Sequence, residues 1–153
     1  MIGKGFLAGL VATIVLSALM VMKAMMGLMP ALDLPQMLAA MMGSPTTPMV
    51  GWVVHFLIGI VAYGIAIALL DARLPGSSST WHGVLLAVAG WLVMVVVLMP
   101  MAGAGRFGMT MGPMAPVMTL VLHLIFGAVL GWTYGRLVAG TASDLVRRNA
   151  ASH

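Results

Sequence analysis

Residues 50–70, VGWVVHFLIGIVAYGIAIALL, carry no Lys, Arg, Asp or Glu. Wound as a helix at ~1.5 Å per residue, the run is long enough to cross a hydrocarbon layer of roughly 30 Å. Three other stretches have the same character, 6–22, 83–99 and 117–138; none contains Asp or Glu, and Arg136 lies only near the end of the last. The whole chain agrees with these four runs. Of 153 residues 62% are hydrophobic, the mean hydropathy is +1.13, and the charged groups are seven Lys or Arg and three Asp. A soluble domain devotes about a quarter of its residues to charge, so the solvent of this chain is largely lipid. The absence of Cys removes disulfides, thiolate metal sites, iron–sulfur clusters and cysteine nucleophiles. The net charge of +4 sits at the ends of apolar runs, where it reports topology rather than a nucleic-acid footprint.

The segments between the runs hold the helix breakers: Pro30, Pro35, Gly43, Pro45 and Pro48 in 23–49, Pro75 and Gly76 in the second, and Pro100, Gly103, Gly105, Gly108, Gly112, Pro113 and Pro116 in 100–116. The expected fold is therefore all-α, a polytopic membrane protein with one four-helix domain over 1–140 and a cytoplasmic tail at 141–153. Lys and Arg are retained on the cytoplasmic side. With both termini inside, Lys4, Arg73, Arg136, Arg147 and Arg148 are cytoplasmic and only Lys23 and Arg106 are outside. The reading is N-in, C-in, with 23–49 and 100–116 as outer loops. The first run continues into Met-rich sequence without a small-x-small cleavage site, so it reads as a span and not as a signal peptide.

The two halves match. Lys4-Gly5 opens the first run as His82-Gly83 opens the third, and Ala24-x-x-Gly27 pairs with Ala102-x-x-Gly105. The second and fourth share His55-x-x-x-Gly59 and His123-x-x-x-Gly127, followed by Tyr63-Gly64 and Tyr134-Gly135. Two hairpins of like orientation, related by a pseudo-twofold axis along the membrane normal, would produce this pattern. In the first outer loop, Asp33 ahead of Pro35 and Gln36 reads as the cap of a short helix that Gly43 stops, lying in the outer interface. The tail, with Ser143, Asp144, Arg147 and Arg148, reads as a further short helix or a frayed end.

Gly-Phe-Leu-Ala-Gly-Leu-Val-Ala-Thr at 5–13, Gly-Leu-Met-Pro at 27–30, Met-Pro-Met-Ala-Gly-Ala-Gly at 99–105 and Met-Ala-Pro-Val-Met-Thr-Leu-Val-Leu-His at 114–123 resemble a family of small, uncharacterised bacterial inner-membrane proteins. The resemblance reaches about Val138. It implies a four-helix fold and an inner-membrane location but no catalytic residue. Some members carry the label sodium:proline symporter. That label does not transfer, because four spans without an intramembrane carboxylate are far shorter than true symporters of that class.

Chemistry at membrane depth rests on His55 and His123. Both lie a short way into runs of the same direction and are expected at one depth near the outer face, each with a Gly four residues on. An ionisable group within a span faces the bundle interior or a wet cavity. One reading makes Gly59, Gly127 and Gly131 small-residue seams, with each imidazole bonded across them. A second reading admits a flat ring, with His55 and His123 as axial ligands of haem b beside Gly59 and Gly127, and Arg106 available to its propionates. A third is copper. Of 17 methionines, 16 fall between Met20 and Met49 or between Met94 and Met118, and thioether with imidazole suits Cu(I), so Met25, Met111 and Met114 join the two histidines as candidate ligands. Methionine also fills irregular apolar space.

The remaining polar residues are expected to do less. Asp71 and Arg73 read as a loop pair and His82 as solvated. Trp52 and Trp81 read as interfacial anchors, and Trp91 and Trp132 as packing groups. No carboxylate pair, Ser-His-Asp set or phosphate loop is present. Gly-Ala-Gly-Arg-Phe-Gly at 103–108 follows a span rather than a strand and reads as a tight turn. The expected function is a non-enzymatic accessory or structural subunit of an inner-membrane assembly. Its partners would be the lipid bilayer and a homo-oligomer or larger membrane complex, with no nucleic acid. Haem or copper binding, or a small oligomeric channel, are the alternatives.

Overall fold

The computed structural model describes residues 1–151, except for the side chains of 144–146, so positions 152 and 153 of the expected tail lie outside the described residues. Four helices are long and apolar enough to cross a membrane: α1 (Ile2–Met25), α3 (Pro48–Leu70), α4 (Ser79–Met101) and α5 (Ala115–Ala151). A short α2 (Leu34–Met41) lies between α1 and α3, and one 3-10 turn (Arg106–Met111) lies between α4 and α5. The described residues contain no strand. Each long helix overruns its apolar run at one end or both. The tail is likewise no separate element: α5 continues unbroken to Ala151.

Helix ends follow local chemistry. Asp33 caps α2 by accepting from the Gln36 N–H at 2.9 Å, and Pro35 sits in the first turn. The other end of α2 is closed by Gly43 at φ +75, with Gly43 N–H bonded to the Ala40 carbonyl and Ser44 N–H to that of Ala39. The same pair of bonds ends α1 at Gly27, through Ala24 and Lys23, and α4 at Gly103, through Pro100 and Met99. Gly27 therefore corresponds in role to Gly103. The pairing of Gly27 with Gly105 drawn from the sequence is two residues out of step, since Gly105 serves the following turn.

Lipid tails are as apolar as the helix faces, so these helices associate through close packing rather than through the hydrophobic effect. Small residues provide the approach. At the α1–α3 crossing a Cβ on Gly5 would overlap the Gly64 carbonyl, and one on Gly59 would overlap the Thr13 hydroxyl. At the α4–α5 crossing a Cβ on Gly127 would lie 2.5 Å from the Gly83 carbonyl oxygen and 2.6 Å from Ala87 Cβ, while Gly131 lies against the Ser79 carbonyl. Helix α1 also packs along α5, which joins the two hairpins into one bundle. Its centre is filled by Ala8, Ala12, Leu16, Ile67, Ala87, Phe126, Leu130 and Tyr134. Outward, Leu7, Ile14, Val53, Leu57, Leu92, Val96 and Val121 are exposed and form the lipid-facing surface.

One of the two deeper tryptophans behaves otherwise than its depth suggests. Trp132 is 58% exposed with the Arg136 guanidinium 5.7 Å from its ring centroid, so it is an outward anchor and not a packing group. Trp91 packs and also donates, to the Pro116 carbonyl and the Thr119 hydroxyl.

Gly131→Val and Gly64→Val should each destabilise the bundle by about 1 to 3 kcal/mol through overpacking, read as a lowered melting temperature in detergent. Gly3→Ala, with nothing within 4 Å of its added methyl, should leave the melting temperature unchanged or raise it slightly.

Candidate functional site

The end of the bundle formed by residues 26–47 and 102–114 is hollow. A cavity of about 480 Å³ lies among α1, α2, α3, α4 and α5, walled mainly by Leu16, Met20, Leu34, Trp52, Met94 and Leu122. Beneath it a smaller cavity of about 90 Å³ is lined by His55, Ile58, Gly59, Tyr63, Gly90 and Phe126. Leu16, Leu34, Met94 and His123 line both, so the two spaces adjoin with His123 at their junction.

Irregular helix makes the lower space. Residues Ile58–Ala62 of α3 and Met94–Leu98 of α4 each form a single π turn. A π turn accommodates an extra residue and is frequent at functional sites. Here both turns face the small cavity, through Ile58 and Gly59 on one side and Met94 and Leu98 on the other. Nearby, the Tyr63 hydroxyl fills the space a Cβ would take on Gly90, and the Tyr63 ring meets Phe126 edge-on at 4.8 Å between centroids. No pattern in the sequence announces a π turn, because its Ile, Val and Gly recur throughout the four spans.

His55 and His123 are brought to one small cavity, as two like-directed helices should bring them. Their bonding differs. His55 is buried, shares a 3.2 Å hydrogen bond between its Nε2 and the Ser17 hydroxyl, and meets Trp52 and Phe56 edge-on. His123 Nδ1 lies 2.8 Å from the Thr119 carbonyl oxygen. A carbonyl only accepts, so Nδ1 carries the proton and Nε2 is left with a lone pair. Thr119 is itself held by the Ala115 carbonyl and receives the Trp91 indole N–H. Thr119 thus meets Trp91 of α4 through its hydroxyl and His123 through its carbonyl.

The rim carries two charges, both engaged. Lys23 donates to the carbonyls of Leu28, Met29 and Leu32 at 3.1, 3.1 and 2.8 Å. That uses all three ammonium donors and holds the loop in which Met29 adopts φ +46. Asp33 is the cap of α2. The sequence showed Lys23 only as an outer charge; its place in the last turn of α1, before a terminating Gly, is the signal for carbonyl capping.

The expected haem slot is closed. Thr13 occupies the space beside Gly59, and Gly83 and Ala87 that beside Gly127, so these glycines serve helix contact and open no slot for a ring beside them. Arg106 is exposed on the 3-10 turn and lines neither cavity. The expected copper set is not gathered at one point either. Met25 lines the upper cavity, whereas Met111 packs on the cluster of Met94, Val95 and Met99, and Met114 is exposed. Among the described residues no three His, Asp or Glu are grouped as a metal site.

A second polar group lies at the opposite end. His82 is 4% exposed, not solvated, and its Nδ1 is 2.8 Å from Asp71 Oδ1, while the Ser79 hydroxyl donates to Oδ2. Arg73 does not pair with Asp71; it donates to the Leu69 carbonyl. Helix α4 turns inward at Gly83 against α5, which carries His82 into the interior and makes Asp71 its partner. His82 Nε2 and the hydroxyls of Thr133 and Tyr134 are buried without a partner among the described residues.

The sequence profile of a family of unknown function (DUF6789) matches residues 1–144. The chain belongs to that family. The match takes in all four crossing helices, the cavities and the Asp71–His82 pair of this DUF6789 member, consistent with the uncharacterised family that the sequence resembles. No match was found among curated proteins or solved structures.

Asp71→Ala leaves the buried His82 imidazole and the Ser79 hydroxyl unpaired. It should cost roughly 2 to 3 kcal/mol in thermal denaturation, and His82→Leu combined with Asp71→Ala should recover part of that loss.

Proposed function

We propose that this protein is a non-enzymatic, multi-pass component of the bacterial inner membrane, inserted N-in and C-in. In this reading it is an accessory subunit, working in a homo-oligomer or larger membrane complex, whose working part is a binding site for a small apolar molecule. The observation that carries the reading is the cavity of about 480 Å³, apolar in its walls and ending on His123. Ligand sites in proteins span roughly 300–1,000 Å³ and combine apolar walls with a few placed polar groups. The paired His-x-x-x-Gly segments and the two glycine seams support a hairpin repeat, and such a repeat favours a site between its halves, as in larger membrane proteins built from repeats.

An accessory role is supported by what surrounds the site. The polar groups are used to hold helices and loops together, as in the Lys23 clamp and the Trp91–Thr119 bond between α4 and α5. The outward faces are plain hydrocarbon. Nothing in the cavity resembles a nucleophile with its base.

Leu122→Trp, which fills the upper cavity, tests the binding reading. Protein purified in mild detergent and stripped of bulk lipid should retain a stoichiometric apolar small molecule, detected by mass spectrometry of an extract, and the Trp variant should lose it while keeping its helical circular dichroism. Equal retention by both proteins would overturn the reading. Because the chain has no Cys, orientation is open to single-cysteine labelling. Thr46→Cys should react with an impermeant maleimide in intact cells, and Ser77→Cys only after the membrane is opened.

A further inference from the structure

We propose that the ligand of the upper cavity is a neutral amphiphile with a hydroxyl head, an alcohol or phenol on an apolar body, whose O–H donates to His123 Nε2. This rests on the cavity being a binding site and adds the chemistry of its occupant. Three observations select that chemistry.

The first is the direction of the His123 hydrogen bond. With Nδ1–H committed to the Thr119 carbonyl at 2.8 Å, the ring presents an acceptor to the cavities it lines. A ligand must bring the proton. Ethers, ketones and esters have none to give, so a head of that kind leaves Nε2 unpaired in an apolar space, whereas a hydroxyl satisfies it.

The second is the state of the rim charges. Lys23 has its three donors on three backbone carbonyls, and Asp33 is engaged as a helix cap and supplies the opposite charge. Lys23 has no donor left for an anionic head, and the opposite charges of Lys23 and Asp33 offset each other, so the rim offers no surplus charge to a head of either sign. An ionised group entering this cavity would lose hydration that the balanced pair does not replace, a large cost in a low-dielectric site. The head is therefore neutral.

The third is the shape of the remaining wall. Leu16, Met20, Met94 and Leu122 offer only hydrocarbon and thioether surface, and Trp52 adds a large ring with a single indole N–H. The body that lies along it is apolar, and the methionines adapt to a chain or a ring alike. The lower cavity, about 90 Å³ and shared with His55, is too small for the body and leaves the head at the junction.

The test uses the full chain in nanodiscs and three photoactivatable probes that differ only in the head: dodecanol, its methyl ether and dodecanoate, each with a diazirine on the chain. Saturable labelling of the peptides carrying Leu16 and Leu122, competed by unlabelled dodecanol, reports occupancy. Dodecanol should bind about tenfold more tightly than the ether, the worth of one satisfied hydrogen bond, and dodecanoate more weakly than dodecanol. His123→Phe should bring dodecanol down to the level of the ether, and His123→Gln, whose amide oxygen still accepts, should restore part of the difference. Equal binding of alcohol and ether, or tighter binding of dodecanoate, overturns the assignment of the head while leaving the cavity a binding site. If no probe labels saturably, the binding site itself is refuted. Should His123→Phe fail to fold, the comparison of the three heads on the unaltered protein decides alone.

Discussion

Four helices immersed in hydrocarbon have no hydrophobic reason to touch one another, and the feature on which this molecule depends is the direct approach of backbone to backbone at its glycine seams. Gly5, Gly9, Gly59 and Gly64 bring α1 onto α3, and Gly83, Gly127 and Gly131 bring α4 onto α5. Dispersion contacts, each small and collectively large, replace the driving force that water would supply. Tight crossing toward one end of the bundle accompanies the open space at the other. There α2, the 26–33 loop and the N-terminal turns of α3 and α5 surround a cavity instead of filling it.

Polar groups at membrane depth are costly unless paired, and most of those here are paired. Lys23 secures the loop at the cavity mouth, Asp71 holds His82 and Ser79 at the far end, and Trp91 and Thr119 tie α4 to α5. His55 is joined to Ser17 on α1. His123 differs in that its partner, the Thr119 carbonyl, can only accept, which fixes the proton on Nδ1 and leaves Nε2 as an acceptor. The π turns of α3 and α4 lie on the walls beside it.

Much of this was legible from the residues. Span count and helix class follow from charge-free runs, and the cap of α2 from Asp33-x-x-Gln36. The site was legible in part. His55 and His123 could be put at one level because each stands at a similar depth in a helix of the same sense. What occupies the space beside Gly59 and Gly127 could not be read, since a small residue is equally required by a bound ring and by a neighbouring helix; the neighbour turned out to be Thr13 in one case and Gly83 with Ala87 in the other. His82 was misread for a related reason: four residues from the start of its helix it has the address of a solvated group, and only the close approach of α5 buries it.

Sequence alone therefore determined the solvent of this protein and its four crossings, because lipid tolerates neither charge nor unpaired backbone and those prohibitions act residue by residue. Tertiary structure decided which polar groups are spent and which is spare. Whether Lys23 meets a ligand or three carbonyls, and which edge of His123 faces a cavity, depends on the relative placement of elements distant in the chain. Hydrogen bonds have direction as well as reach, and direction is settled only when the packing is complete.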